Sequence, residues 1–142
     1  GKDHGFMPIV LIAKTQEDYD AWVEAQKGAA AAAADAATQT LGMDELMAKG
    51  ESVYNTNCAA CHQANGQGIP GVFPAIAGSA VATGDVAKHI DIGVNGVAGT
   101  AMLAFGEQLS AVDLAAVITY QRNAFGNDTG DMVQPADITA AQ

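Results

Sequence analysis

The stretch Cys58-Ala-Ala-Cys61-His62 carries the clearest chemistry in this sequence. Two cysteines three positions apart, with a histidine directly after the second, form the attachment pattern for a c-type haem. Each thiol adds to one porphyrin vinyl group and forms a thioether, and the two intervening residues let one backbone turn span both vinyl positions. His62 then lies under the ring, where an imidazole nitrogen binds the iron. The pattern therefore predicts one covalently attached haem c.

Two other interpretations of the cysteine pair remain open at this point. A thioredoxin-like C-x-x-C redox pair requires a preceding strand in a βαβ unit, whereas here a helical pattern precedes the motif and a glycine-rich loop follows it. A disulfide between Cys58 and Cys61 is the second alternative, because these are the only cysteines in the sequence. The local context favours the haem motif.

Composition limits the classes of protein that fit. The sequence has 142 residues, enough for one domain or a small domain with appendages, and its 16 glycines predict long loops. A net charge of −10 argues against nucleic acid and against an anionic membrane surface as partners. No stretch approaches the roughly 20 apolar residues of a membrane span, and no signal peptide is visible. Because haem attachment to C-x-x-C-H takes place outside the cytoplasm, we expect an export or anchoring segment before Gly1 in the full protein.

Helices are predicted to position the haem motif. A helix over residues 44–57 leads into it, and Gly50 in that helix costs about 1 kcal/mol relative to alanine, which indicates close approach by another element. The candidate is a second helix over residues 110–123, which begins with a serine and has an aspartate at capping-box spacing. We expect the two helices to cross at Gly50, with Tyr120 over the glycine. A shorter helix over about residues 85–92 should end at the glycine that follows it.

The second iron ligand is expected in one of two irregular, glycine-rich loops, residues 65–78 and 93–106. Met102 lies at the centre of the second loop, just before a helix, where it can arch over the far face of the haem. The rival ligand His89 lies in the middle of a helix and is better interpreted as a surface or hydrogen-bonded histidine. Of the other methionines, Met43 and Met47 are assigned to the core. Met7 and Met132 are assigned to regions outside the haem body.

Residues from about 43 to 127 resemble the mono-haem cytochromes c. The resemblance implies an all-α fold of three to five helices and long loops around one low-spin haem, with iron held by His62 and Met102. It also implies that the Pro74 carbonyl accepts a hydrogen bond from the second nitrogen of His62. One departure is Leu103, where many relatives have proline after the methionine. The matching positions are Gly50, Tyr54, Cys58-Ala-Ala-Cys61-His62, Phe73-Pro74-Ala-Ile76-Ala-Gly78, Met102 and Tyr120.

The N-terminus is similar to the tail of the copper domain of cytochrome c oxidase subunit II. The similar stretches are Gly1-Lys-Asp-His4-Gly-Phe-Met7-Pro-Ile9 and Tyr19-Asp-Ala-Trp22. In that family the residues matching His4 and Met7 bind a dinuclear copper centre, whose two bridging cysteines come before the position of Gly1. His4 and Met7 alone form an incomplete half-site, which we expect to be empty. The alternative is a chance His-x-x-Met pattern in a strand.

Several segments complete the predicted organisation. A strand is expected over residues 6–13, and a helix capped by Thr15 should follow, with Tyr19, Trp22 and Val23 as a packing stripe. The alanine-rich stretch that comes next has no side chain large enough for a core and predicts a linker, helical or not. The expected divisions are 1–27 for the copper-domain remnant, 28–40 for the linker, 41–127 for the cytochrome domain and 128–142 for a polar tail.

The whole chain thus resembles the C-terminal part of a subunit II with a fused cytochrome c domain. This resemblance implies one-electron transfer from a quinol-oxidising complex or a soluble cytochrome c to the dinuclear copper of the same subunit, on the periplasmic side of a bacterial inner membrane. The domain would not be an enzyme by itself, and the full-length protein would be tethered. The alternatives are a stand-alone soluble electron carrier, and a haem peroxidase or gas sensor, which need an open iron position.

The distribution of charge predicts how the haem meets its partners. Residues 52–84 and 92–106 contain no Asp, Glu, Lys or Arg, and they include the haem motif and both loops. We therefore expect an uncharged rim around the haem edge, suited to apolar docking. Two alternatives remain: small neutral residues that merely suit tight loops, and an acidic patch that steers a basic cytochrome c.

Overall fold

The computed structural model describes residues 11–142, and the chain divides into two compact units, residues 1–32 and 33–142. The described residues form six α-helices and no strand, with one isolated antiparallel bridge in a loop. The predicted all-α fold is therefore confirmed. None of these helices is both long enough and apolar enough to cross a membrane. The helices are α1 (Gln16–Ala37), α2 (Met43–Asn57), α3 (Ala59–His62), α4 (Val86–Asn95), α5 (Ala111–Asn123) and α6 (Pro135–Ala141).

Helix α1 begins where the capping pattern predicts. The Thr15 hydroxyl oxygen accepts a hydrogen bond from the Asp18 N–H at 3.2 Å and donates to the Asp18 carboxylate at 2.8 Å. The helix continues through the alanine-rich stretch, as expected from the helix propensity of alanine. Most of the predicted strand over residues 6–13 lies outside the described residues, and its last three residues are not in a strand.

The packing stripe predicted on α1 is not buried. Tyr19 and Trp22 pack on each other, with ring centroids 6.0 Å apart, but each side chain remains about half exposed. No residue of α1 is buried. Tyr19 and Trp22 therefore share one face of the helix, as predicted. The prediction that this face packs against other residues is wrong for the described residues.

Helices α2 and α5 cross at a glycine. A Cβ atom on Gly50 would lie 2.6 Å from the Tyr120 Cβ and would clash with the Ala116 carbonyl group. The predicted contact between Gly50 and Tyr120 is therefore confirmed. Leu46 and Tyr54 of α2 are fully buried at this interface, and nearly every residue in the middle of α5 is buried. Helix α5 is thus the centre of the core of residues 33–142.

Helix α4 ends later than predicted. It begins after Asp85, whose carboxylate accepts a hydrogen bond from the Ala87 N–H at 2.9 Å, and it ends at Gly96, which has a φ of +69°. Gly93, the predicted end, lies inside the helix, where a Cβ atom would come 3.1 Å from the Ile118 Cδ1. A glycine at this position serves the close packing of α4 on α5, and the left-handed backbone that ends the helix occurs at the next glycine.

The segment 128–142, predicted as a polar tail, contains a helix that packs on the core. Val133 and Ile138 are 1% and 0% exposed, and the Val133 N–H donates to the Thr119 hydroxyl of α5 at 2.9 Å. The Gln134 side chain caps α6 and also bonds the backbone of Leu41, just before α2. The polar-tail prediction was wrong because few apolar residues mark this helix. The available signal was a proline at its first position with an aspartate in the first turn.

Candidate haem-binding site

The predicted haem residues line a single cavity of about 510 Å³. Cys58, Cys61 and His62 come from the short segment around α3, Pro74 comes from the first loop and Met102 from the second. Among residues 11–142, no Asp, Glu, Lys or Arg side chain contributes to the lining, which is mostly aliphatic and aromatic carbon. His4 and Met7, the proposed copper half-site, lie outside the described residues.

The haem motif forms one tight turn of backbone. Cys58 ends α2, with its N–H bonded to the Tyr54 carbonyl at 2.8 Å, and its own carbonyl accepts from the His62 N–H at 2.9 Å. This turn places both thiols on the side of the cavity. Burial raises the pKa of the Cys58 thiol to about 11, with a further contribution from the neighbouring Cys61. The Cys58 thiol is therefore neutral near pH 7 until it is converted to a thioether.

The His62 imidazole is oriented by a carbonyl group. Its Nδ1 lies 2.8 Å from the Pro74 carbonyl oxygen, which is the contact that the resemblance implies. Because a carbonyl oxygen only accepts, Nδ1 carries the proton and donates. The Nε2 lone pair is then left for a metal, and the hydrogen bond fixes the orientation of the ring. His62 is thus prepared to bind iron through Nε2.

A glycine turn places the Pro74 carbonyl. Gly68 has a φ of +64°, and its N–H donates to the His62 carbonyl at 2.9 Å. A Cβ atom on Gly68 would lie 2.5 Å from the Pro74 oxygen and would clash with the Phe73 oxygen. Ile69 and Phe73 exchange two hydrogen bonds of 2.8 Å that close the turn. The loop can therefore reach the histidine only because residue 68 has no side chain.

The second loop presents Met102 to the cavity. The Met102 carbonyl accepts from the Val97 N–H at 3.0 Å, and the Met102 N–H donates to the Thr100 hydroxyl at 3.1 Å. A Cβ atom on Gly96 would lie 2.6 Å from the Met102 oxygen, so the loop folds back tightly onto the end of α4. A thioether from methionine is one of the axial ligands used by cytochromes c.

His89 is buried at the same cavity, not on the surface. It is 5% exposed, and its Nε2 lies 2.9 Å from the Gln121 Oε1. Of the two predicted environments, surface or hydrogen-bonded, the hydrogen-bonded one is therefore correct for Nε2. Within the described residues Nδ1 has no hydrogen-bond partner. Burial and, to a smaller extent, the charge of Arg122 lower the pKa of His89 to about 4, against the opposing effect of the hydrogen bond with Gln121. The imidazole is therefore neutral near pH 7.

Sequence reasoning missed Gln121 as a residue of the site. Its Nε2 lies 3.8 Å from the Cys58 sulfur, although it was not among the predicted site residues. The helical spacing places Gln121 on the buried face, and a buried amide requires hydrogen-bond partners. The need of a buried amide for hydrogen-bond partners was the one indication in the sequence that Gln121 contacts other polar groups.

The cavity suits a haem c in its chemistry. Its lining is mostly apolar, and it offers two thiols on one turn together with an imidazole whose Nδ1 is held by a carbonyl oxygen. Helices packed around such a cavity, with these residues in it, define a mono-haem cytochrome c domain. Residues 45–120 match the family described as cytochrome C oxidase, cbb3-type, subunit III, and the chain belongs to this family. Its cofactor is a covalently bound haem c, and it transfers electrons through that haem.

Similar sequences occur in a dehydrogenase subunit, in an oxidase subunit and in a cytochrome c-552. The cytochrome c subunit of the quinone alcohol dehydrogenase of Gluconobacter oxydans is 30% identical over 99 residues, 63% of this chain and 21% of the relative. The cbb3-type cytochrome c oxidase subunit CcoP of Azospirillum sp. is 43% identical over 72 residues, 43% of this chain and 24% of the relative. Cytochrome c-552 of Thermus thermophilus is 54% identical over 37 residues, 26% of this chain and 24% of the relative. The chain therefore spans less than a quarter of the length of these relatives.

Proposed function

We propose that this domain accepts single electrons from a quinol-oxidising complex or a soluble cytochrome c and passes them to the dinuclear copper centre of a terminal oxidase subunit II. The observation that carries the oxidase assignment is the similarity of residues 1–22 to the tail of a subunit II copper domain. The proposed location is the periplasmic side of a bacterial inner membrane, with a tether in the full-length protein. The relative CcoP is a subunit of a cbb3-type cytochrome c oxidase, which supports an oxidase as the electron acceptor without identifying its subunit II.

The residues of the cavity have distinct tasks in this function. When bound, the haem supplies a one-electron couple at its iron. Cys58 and Cys61 would attach the porphyrin, and His62 and Met102 would hold the iron in both of its charge states. Pro74 keeps the His62 ring oriented through the hydrogen bond of 2.8 Å at Nδ1. The apolar lining excludes water and favours the less charged, reduced state.

Apolar side chains at the mouth of the cavity are the proposed docking surface for the copper domain. Val72 and Leu103 line the cavity and are 66% and 59% exposed. Charged residues are depleted at the cores of protein interfaces, and this uncharged mouth fits that pattern. The alanine-rich stretch would keep the partner at high local concentration, so long-range steering is not needed.

The experiment that tests this function measures electron transfer to a copper domain. The haem-loaded chain, reduced, is mixed in a stopped-flow instrument with an oxidised soluble copper domain of a subunit II. We expect Val72→Glu and Leu103→Glu each to slow the second-order transfer roughly tenfold, which corresponds to about 1.4 kcal/mol. Met132→Glu is the matched control, because Met132 is 50% exposed but lines a different groove, beside α6.

The outcomes separate the candidate functions. No transfer to the copper domain, or equal slowing by all three variants, would contradict the proposal and favour a stand-alone carrier. A cytochrome subunit of a dehydrogenase is the second candidate, favoured by the long match to the Gluconobacter relative. It predicts fast reduction by a quinol-linked dehydrogenase and slow oxidation by the copper domain. A peroxidase or gas sensor predicts ligand binding at the iron of the unmodified chain.

A further inference from the structure

Three polar groups, two of them buried and the third half-buried, follow one another along one side of the haem cavity. His89 of α4 lies 2.9 Å from the amide oxygen of Gln121 in α5, and the Gln121 amide nitrogen lies 3.8 Å from the sulfur of Cys58 at the end of α2. His89 and Gln121 are 5% and 9% exposed. The haem attachment and iron ligation described above require neither of them. A buried polar pair at this position therefore needs its own explanation.

The direction of these hydrogen bonds follows from the chemistry of the sulfur. Once the haem is attached, Cys58 is a thioether, and a thioether sulfur can only accept. The Gln121 amide must then turn its NH₂ group toward the sulfur and its oxygen toward His89. His89 must in turn donate from Nε2, which leaves Nδ1 without a proton. A neutral imidazole in the Nε2–H form thus gives both contacts, His89 to Gln121 and Gln121 to Cys58, the correct donor and acceptor.

We propose that His89 is a positioning residue for the haem: it holds the Gln121 amide so that its NH₂ group donates to the Cys58 thioether sulfur. A hydrogen bond at this sulfur withdraws electron density from the porphyrin substituent and disfavours the oxidised, more positively charged haem. Hydrogen bonds around a metal centre are among the means by which proteins raise a reduction potential. The pair thus makes the midpoint potential more positive.

The two thioether bridges differ in this respect, which gives a selective readout. Within residues 11–142, no side-chain hydrogen bond reaches the Cys61 sulfur, whereas Gln121 reaches that of Cys58. A loss of the His89–Gln121 bond should therefore change the electronic environment of one bridge only. A general loosening of the core would change both. The inference concerns the haem alone and does not depend on which partner the domain reduces.

The test uses the haem-loaded chain and compares His89→Leu, Gln121→Leu and the double variant. Leucine keeps an apolar side chain of similar size and removes the polar groups. We expect both single variants to lower the midpoint potential and to shift the NMR signal of the thioether methyl group at Cys58, with the signal at Cys61 unchanged. The double variant should show the same shift as Gln121→Leu alone, because both substitutions remove one interaction.

Two further variants keep the test decisive if a leucine variant fails to fold. In His89→Gln the amide nitrogen reaches the position of Nε2 and can still donate, whereas in His89→Asn it reaches only that of Nδ1. We expect His89→Gln to retain the potential of the unmodified chain and His89→Asn to lose it. Equal potentials in these two variants, or equal NMR shifts at Cys58 and Cys61 in His89→Leu, would overturn the proposal.

Discussion

Tyr120 lies directly over Gly50 where α2 and α5 cross, and there is no room for a side chain between them. An added Cβ atom would come 2.6 Å from the Tyr120 Cβ and would also clash with the Ala116 carbonyl group of α5. Because the obstacle includes helix backbone, it cannot be relieved by rotating a side chain. The crossing therefore sets the distance between α5 and the helix that ends in the haem motif.

Gly50→Ala should destabilise the domain despite the higher helix propensity of alanine. Overpacking of this kind costs about 1–3 kcal/mol, and the helical gain is at most about 1 kcal/mol, so we expect a net loss of about 1–2 kcal/mol in the free energy of unfolding. The change in the free energy of unfolding is measured by denaturant unfolding of the haem-loaded chain. The control is Gly28→Ala, in the interior of α1 with no atom within 4 Å, which should leave unfolding of the haem domain unchanged. Equal effects of the two substitutions would contradict the close contact.

Met102→Ala should leave the haem covalently attached and open one iron position. The reduced variant is expected to bind carbon monoxide, which the unmodified chain should not do, and the oxidised variant should lose the far-red absorption band of methionine ligation. Met47→Ala is the control, because Met47 lies on α2 and does not line the cavity. A Met102→Ala spectrum identical to that of the unmodified chain would remove Met102 from the ligand set.

Gly96→Ala should weaken methionine ligation from a distance. Both Gly96 and Gly99 have a positive φ, which costs alanine about 1–2 kcal/mol. Only at Gly96 does an added Cβ meet the loop, 2.6 Å from the Met102 carbonyl oxygen, whereas at Gly99 nothing lies within 4 Å. We therefore expect the far-red band to fade at a lower temperature in Gly96→Ala than in Gly99→Ala. Identical melting of the band in the two variants would contradict this.

The stability of the domain should fall on mild acidification because of His89. Burial lowers its pKa from 6.5 to about 4, so its contribution is fully present above about pH 6.5 and is lost as the pH falls toward 4, while the unfolded chain takes up the proton. Between about pH 7 and pH 5 the expected loss is about 2 kcal/mol. Arg122 is the charged group that acts on His89.

A comparison of the unmodified chain with His89→Gln separates the contribution of His89 to the pH dependence of stability from that of other groups. The variant should lose less stability between pH 7 and pH 5, because it has no group that titrates at this position. The pKa values of Asp113 and Asp131 are lowered, by hydrogen bonds from Ser110 and from Arg122 respectively, so their contributions disappear only at lower pH. Parallel stability profiles for the two proteins would show that His89 is protonated in the native state.

The parts of the fold that sequence predicted are those with a steric or covalent requirement. Gly50 inside a helix, the spacing of Cys58 and Cys61 and the isolated loop position of Met102 each admit few structural solutions. The end of α4 was misplaced because both Gly93 and Gly96 fit a helix end, and only packing on Ile118 distinguishes them. The His89–Gln121 pair could not be predicted, because it joins two helices whose relative orientation no local pattern determines.

Electron transfer to the copper domain should depend little on salt. The described part of the chain places no Asp, Glu, Lys or Arg in the lining of the cavity, although the whole chain carries a net charge of −10. Docking at its mouth should therefore rely on apolar contact. Raising the salt from about 0.01 M to about 1 M shortens the Debye length from about 30 Å to about 3 Å and removes long-range attraction between surface charges.

We expect the second-order rate of electron transfer to change by less than about threefold over this range of salt. The variant Glu45→Gln, which neutralises an exposed carboxylate on α2, should have the same rate as the unmodified chain. An acidic patch that steers a basic partner would instead produce a steep fall in rate with salt, and a slower rate in Glu45→Gln at low salt would locate that patch on α2.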